Sequence, residues 1–186
     1  ARVRKNEELV ELKINEREAQ ASAQGAGTRE AIVDNGSGDI VMGYETYKDW
    51  VKGEDPPPKR LPTKKVYRFG EGRQVRGMFR AHVPAFWAGI GSKLMSNVVP
   101  GKLSCLLGDP HLVEKRGVLD YYSRPGKPLF TVDAPGGVRV RNPLRRTMVN
   151  HWAVDLAETA AGGEVLGGED SGVLPAVVAS VQVATQ

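Results

Sequence analysis

Ala31-Ile32-Val33-Asp34-Asn35-Gly36-Ser37 is the sharpest chemical feature of this 186-residue sequence. An apolar run delivers an aspartate into a glycine-bearing turn, which holds a carboxylate at a rigid, partly buried position. Such a carboxylate becomes reactive when a second one meets it. Two carboxyl groups sharing a site cannot both ionise easily. One keeps its proton and serves as acid, while the other takes a proton from water as base. The pair titrates as a unit. The chain offers one aspartate of this kind, so the chemistry needs a homodimer with Asp34 from each copy on a two-fold axis. Asp170-Ser171-Gly172 is a second Asp-Ser-Gly, but Gly167-Gly168-Glu169 precedes it instead of an apolar strand, and it reads as a loop. The plainer role for Asp34 is to close a turn.

The elements that position this turn can be read from periodicity. Val10, Leu12 and Ile14 alternate with Glu11, Lys13 and Asn15, which is the period of a strand. Glu16 to Thr28 is small and polar and reads as a long loop. Tyr44 to Val51 reads as one or two helical turns, ended by Asp55-Pro56-Pro57-Pro58. Val66 to Phe69, the turn Gly70-Glu71-Gly72, and the alternation from Val75 to Val83 together predict a hairpin. A further strand pair is expected over Ile90 to Val99. Leu103 to Leu107 reads as a strand ending at Gly108. Asp109 as N-cap and Pro110 at the first position predict a short helix to Arg116, stopped by Gly117. Strands are expected at Val118–Tyr121, Leu129–Val132, Val138–Val140 and His151–Leu156. From Ala160 onward the chain is rich in Gly, Ala and Val, the composition of an arm or tail.

Composition narrows the chemistry. The chain is 40% hydrophobic and 26% charged, as ordinary globular domains are. No window approaches 18 consecutive apolar residues, so no membrane-spanning helix is expected. The charge-dense Ala1–Arg17 does not read as a secretory signal. Cys105 is the one cysteine, which excludes a disulfide or a Cys-based zinc site within one chain. His82, His111 and His151 are widely spaced, so no metal is expected, and two-carboxylate chemistry at Asp34 requires no cofactor. A reducing, intracellular setting is the expectation. Net charge is +4, unevenly spread: 59–80 carries eight basic residues and one acid, Glu71, while nothing basic follows Arg146 except His151. That basic stretch suits an anionic partner such as nucleic acid, or a large assembly.

Taken in order, these segments resemble the retropepsin-like aspartic proteases of retroviruses and retrotransposons, and look closest to divergent retrotransposon-derived forms. In that family an apolar pair precedes Asp-Thr/Ser-Gly. Near the end, an apolar-apolar-Gly strand runs into a short helix, followed by a segment of the type Gly-apolar-apolar-Asp-aromatic. Here the corresponding residues are Ile32-Val33-Asp34-Asn35-Gly36-Ser37, then Leu106-Leu107-Gly108, then Gly117-Val118-Leu119-Asp120-Tyr121. The resemblance implies a mainly β fold, a closed acid-protease barrel over 8–158 with one short C-terminal helix. It leaves 1–7 and 159–186 as extensions. It implies that Asp34 is catalytic within the loop Asn35, Gly36 and Ser37. It places Gly70, Glu71 and Gly72 in a flap over a polypeptide substrate. Leu106, Leu107 and Gly108 fall beside the active-site loop, in contact with substrate. Asn35 departs from the pattern, which wants a hydroxyl that clasps the partner loop across the dimer. A second reading follows from Asn35 and the basic stretch: a non-catalytic domain of the same fold, kept as a structural, RNA-binding or protein-binding subunit of a larger, organellar assembly.

Overall fold

The computed structural model of the chain describes residues 2–166. Among them the protein is mainly β, with three short α-helices. β1 (Glu8–Glu11) leads into α1 (Glu16–Ser22), then β2 (Glu30–Val33), β3 (Val41–Gly43) and α2 (Tyr44–Trp50). β4 (Lys65–Arg68) and β5 (Gln74–Arg76) form a small hairpin, and β6 (Phe79–Trp87) and β7 (Ile90–Val99) a large one. β8 (Cys105–Leu107) and α3 (Asp109–Glu114) follow. The described chain closes with β9 (Val118–Asp120), β10 (Leu129–Ala134), β11 (Val138–Arg146), β12 (Trp152–Asp155) and β13 (Glu164–Val165).

These strands make two sheets. β1 pairs in parallel with β4, which pairs antiparallel with β5. The others form one sheet in the order β6-β7-β3-β8-β2-β12-β11-β10-β9, with β13 beside β11. Its centre is out of sequence order. β8 is inserted between β2, to which it is parallel, and β3, to which it is antiparallel. The parallel register sets Val33 beside Leu107, so the chain leaves β2 and β8 at the same end of the sheet.

The three central strands are buried on both faces. Ala31, Met42, Cys105 and Leu107 point into the larger core, with Trp50, Trp87 and Phe130. Ile32, Val41 and Leu106 point the other way, into a second core with Val10, Leu12, Tyr67 and Phe69. Successive residues of a strand face opposite sides, so a strand between two cores must be apolar at every position. That is why Ala31-Ile32-Val33 and Cys105-Leu106-Leu107 are unbroken apolar runs. Trp50 and Trp87 are fully buried, each worth about 2–3 kcal/mol of burial. The Trp50 Nε1–H donates to the Pro84 carbonyl at 2.7 Å, so its polar atom is satisfied.

Several expectations are corrected. No closed barrel is found among the described residues: β6 and β9 end the large sheet without pairing to each other. The edge of β6 is instead covered by other chain. Leu61 and Arg80 exchange amide hydrogen bonds, and the Phe86 amide donates to the Leu156 carbonyl. Glu16 to Ser22 is a helix and not a loop, seating Ala19 and Ser22 in the interior. Ile90 to Val99 is a single ten-residue strand, paired with β6 on one side and with β3 on the other. Ala88 and Gly89, both at positive φ, make its two-residue turn. The cap of α3 is Gly108, with Asp109 already helical. That helix stops two residues before Arg116, where φ is +49°. Gly117 is glycine because a Cβ there would lie 2.9 Å from the Phe130 ring.

The extensions are partly anchored. Arg76 donates to the Arg2 carbonyl and pairs with Glu7, and β13 carries the sheet beyond residue 158. Asp170 lies outside the described residues. None of the helices is long and apolar enough to cross a membrane.

Candidate functional site

Asp34 leaves the end of β2 in the loop that crosses β8 to reach β3. Its backbone N–H donates to the Leu107 carbonyl at 3.1 Å, which continues the β2–β8 ladder by one residue. The loop then tightens. The Gly36 amide donates to Asp34 Oδ1 at 2.9 Å, and the Ser37 amide to the Asp34 carbonyl at 3.1 Å. A Cβ at Gly36 would lie 2.9 Å from the Lys13 side chain, so close approach to β1's continuation demands glycine. Lys13 donates its own amide to the Gly36 carbonyl at 3.1 Å. Ser37 is buried, and its hydroxyl donates to the Asp39 carbonyl at 2.7 Å.

The two Asp34 oxygens differ. Oδ1 accepts the Gly36 amide, while Oδ2 is buried and has no hydrogen-bond partner in the chain. Burial raises the proton affinity of this carboxyl above the ordinary carboxylate range. The Gly36 hydrogen bond and the positive charges of His151 and Lys13 oppose that rise without cancelling it. Asp34 is thus a carboxyl group biased towards holding a proton, with one oxygen uncommitted.

Asn35 is exposed beside it. Its side chain lines a cavity of about 310 Å³ with Val33, Leu112, Leu119 and Phe130, rimmed by Asp109 and Arg116. Leu106 and Leu107 are fully buried, one in each core, and support the loop from behind. Gly108 fits under the loop at very short range: a Cβ there would lie 2.2 Å from the Asp39 carbonyl oxygen. The Gly70–Gly72 turn is not brought to Asp34. Its Gly70 amide donates to the Ile14 carbonyl at 3.1 Å, and the Glu71 carboxylate accepts the Glu16 amide at the start of α1. Lys13 stands between this turn and the Asp34 loop, touching both. Asp120, the aspartate of the resembling segment, accepts the amides of Tyr122 and Ser123 and closes a turn. Bonding to Ser123 first, then Tyr122, pulls it down to about 2.

Two residues near the loop escaped sequence reasoning. Asp39 is bound by four donors: Lys65 Nζ at 2.5 Å, the Tyr67 hydroxyl at 2.9 Å, Asn97 Nδ2 at 3.0 Å and the Ile40 amide at 2.9 Å. The Tyr67 phenol is pushed upward by burial and then by this carboxylate. His151, just before β12, is one of the two residues whose charge opposes the upward shift of Asp34. The only sequence signal for either lay in strand pairings between distant segments.

Half of the basic residues in 59–80 are matched in place. Lys65 pairs with Asp39, Arg68 with Glu11, Arg73 with Glu16 and Arg76 with Glu7. Arg60 lies over the Phe79 ring, 4.5 Å from its centroid. Cys105 is fully buried, and desolvation pushes its thiol well upward, which leaves it unreactive packing. Among the described residues no group of three or more His, Cys, Asp or Glu side chains could hold a metal ion. No protein-family model, no curated protein and no solved structure matches the chain.

Proposed function

We propose that the chain is a retropepsin-like aspartic endopeptidase that works as a homodimer. The observation that carries this reading is the state of Asp34: a partly buried carboxyl, held at Oδ1 by the Gly36 amide, with Oδ2 unpartnered and proton affinity raised by burial. The out-of-order insertion of β8 between β2 and β3, which delivers Leu107 and Gly108 under the Asp34 loop, is the second support. Asn35 and the apolar cavity beside it lie next to the loop, where a second copy would have to approach.

In such a dimer the two Asp34 carboxyls share one proton. The ionised one takes a proton from water as the oxygen attacks the peptide carbonyl. The protonated one gives its proton to the carbonyl oxygen, and the tetrahedral intermediate then collapses with expulsion of the amine. No metal or cofactor enters these steps. The Gly70–Gly72 hairpin keeps the flap role in this proposal, for which it must release Ile14 and Glu16 and reach past Lys13.

The test is digestion of an unfolded polypeptide at mildly acidic pH, with Asp34→Asn as control. Fragments from the wild-type chain alone support the reading, and equal backgrounds from both overturn it. A second reading, a non-catalytic subunit of the same fold, is favoured by Asn35 in place of the hydroxyl residue. Its nucleic-acid form is weakened because four of the eight basic residues in 59–80 are paired to acids within the chain. A chain that stays monomeric at high concentration selects this second reading.

A further inference from the structure

The strand beside β2 brings a histidine to the aspartate. β12 pairs antiparallel with β2, with Ala153 opposite Ile32 and Val154 opposite Ala31. Continuing that register past the strand ends sets His151 across from Asp34. The His151 backbone is fixed there by a tight turn. Its amide donates to Thr147 Oγ1 at 3.1 Å, its carbonyl accepts the Thr147 amide at 2.8 Å, and Asn150 takes φ of +66° between them. Glu18 of α1 places Oε2 3.8 Å from His151 Nε2, beyond hydrogen-bond distance of that nitrogen.

Both side chains keep a buried polar atom without a hydrogen-bond partner: Oδ2 on Asp34 and Nε2 on His151. A buried polar group left unmatched costs about 1–3 kcal/mol. Asp34 and His151 form no direct hydrogen bond or ion pair, and one water between facing residues of complementary chemistry can satisfy both atoms. The charged groups around Asp34 are His151 and, from the continuation of β1, Lys13; the group facing His151 from α1 is Glu18.

We propose that His151 is a positioning residue for Asp34: an in-chain imidazolium, steadied by Glu18, that fixes the orientation and charge of the Asp34 carboxylate. Its consequence for catalysis rests on the endopeptidase reading; the pairing itself does not. His151 does not replace the second aspartate. It keeps one of the two carboxyls ionised further into acid than burial alone allows, and so widens the acid limb of activity.

The test is a carbon-13 NMR titration of the Asp34 carboxyl in the full chain. His151→Gln moves the midpoint upward, and His151→Lys, which restores a cation, brings it back. In Asp34→Asn the inflection that Asp34 imposes on the His151 ring signals disappears, which decides the matter if His151→Gln fails to fold. Superimposable midpoints in wild type and a folded His151→Gln overturn the proposal, as does a His151 ring signal indifferent to Asp34→Asn. Where cleavage is measurable, the acid limb of the pH–rate profile moves with the midpoint. A shifted midpoint without Asp34-dependent cleavage supports the pairing and counts against the endopeptidase reading alone.

Discussion

Asp34 and Asp39 leave the same short loop and are in opposite physical states. Asp39 accepts from an ammonium, a phenol, a carboxamide and a backbone amide. Every lone-pair direction that matters is filled, and its partners come from β4, β7 and the loop itself. Asp34 accepts one backbone amide and leaves an oxygen empty inside the protein. The first carboxylate ties the small sheet to the large one. The Asp34 turn stands on the backbone of Asp39, whose carbonyl accepts the Ser37 hydroxyl and packs against Gly108.

Removing the saturated carboxylate has the largest effect on the fold. Asp39→Asn leaves Lys65 and the Tyr67 hydroxyl without an anionic acceptor. The Lys65 and Asp39 side chains are only partly buried, so the loss falls at the low end for broken ion pairs, about 3 kcal/mol. The urea midpoint drops with an unchanged slope. Gly108→Ala drives a Cβ into the Asp39 carbonyl and amide and costs about 2–3 kcal/mol, read by the same denaturation. If Gly108→Ala is instead neutral, the floor is softer than its geometry states. Tyr67→Phe removes one hydrogen bond to a charged acceptor, about 1.5 kcal/mol.

Asp34→Asn is the smallest change in stability and has the opposite sign. Its carboxyl binds a proton more tightly in the folded protein than in the unfolded chain. Native protein therefore holds more protons than unfolded chain across the interval from the ordinary carboxylate range up to the raised value. Stability falls as pH rises through that interval and stays lower above it. Asp34→Asn abolishes that slope, so the variant is at least as stable as wild type near neutrality and the two converge in acid. A comparison of thermal midpoints across pH checks it.

What the sequence disclosed divides along the same line. The Asp34 turn was legible because an apolar strand running into Asp-x-Gly is a local pattern. The short helix after Gly108 was local too, whereas the alternation of Val75 to Val83, expected as one hairpin arm, is split between β5, which pairs with β4, and β6, which pairs with β7 in the other sheet. Asp39 was not legible, because Lys65, Tyr67 and Asn97 reach it from segments 26 to 58 residues away. His151 was hidden for the same reason, since only the β12–β2 register sets it beside Asp34. The helix Glu16–Ser22 was missed because its buried face is only Ala19 and Ser22, too little apolar surface to show a helical period. The long β6–β7 hairpin was misread because Ala88 is an unusual choice for a positive-φ turn. Closure of the sheet was expected from family likeness alone, and no periodicity within single strands bears on it.

The most direct test of the contrast between the two carboxylates is the cleavage rate of an unfolded polypeptide at mildly acidic pH, followed against chain concentration. With Asp34 as half of a shared dyad, the wild-type rate rises with the square of chain concentration at the dilute end, and Asp34→Asn is inactive while remaining folded. A rate linear in chain concentration, or one that Asp34→Asn retains, would contradict the account.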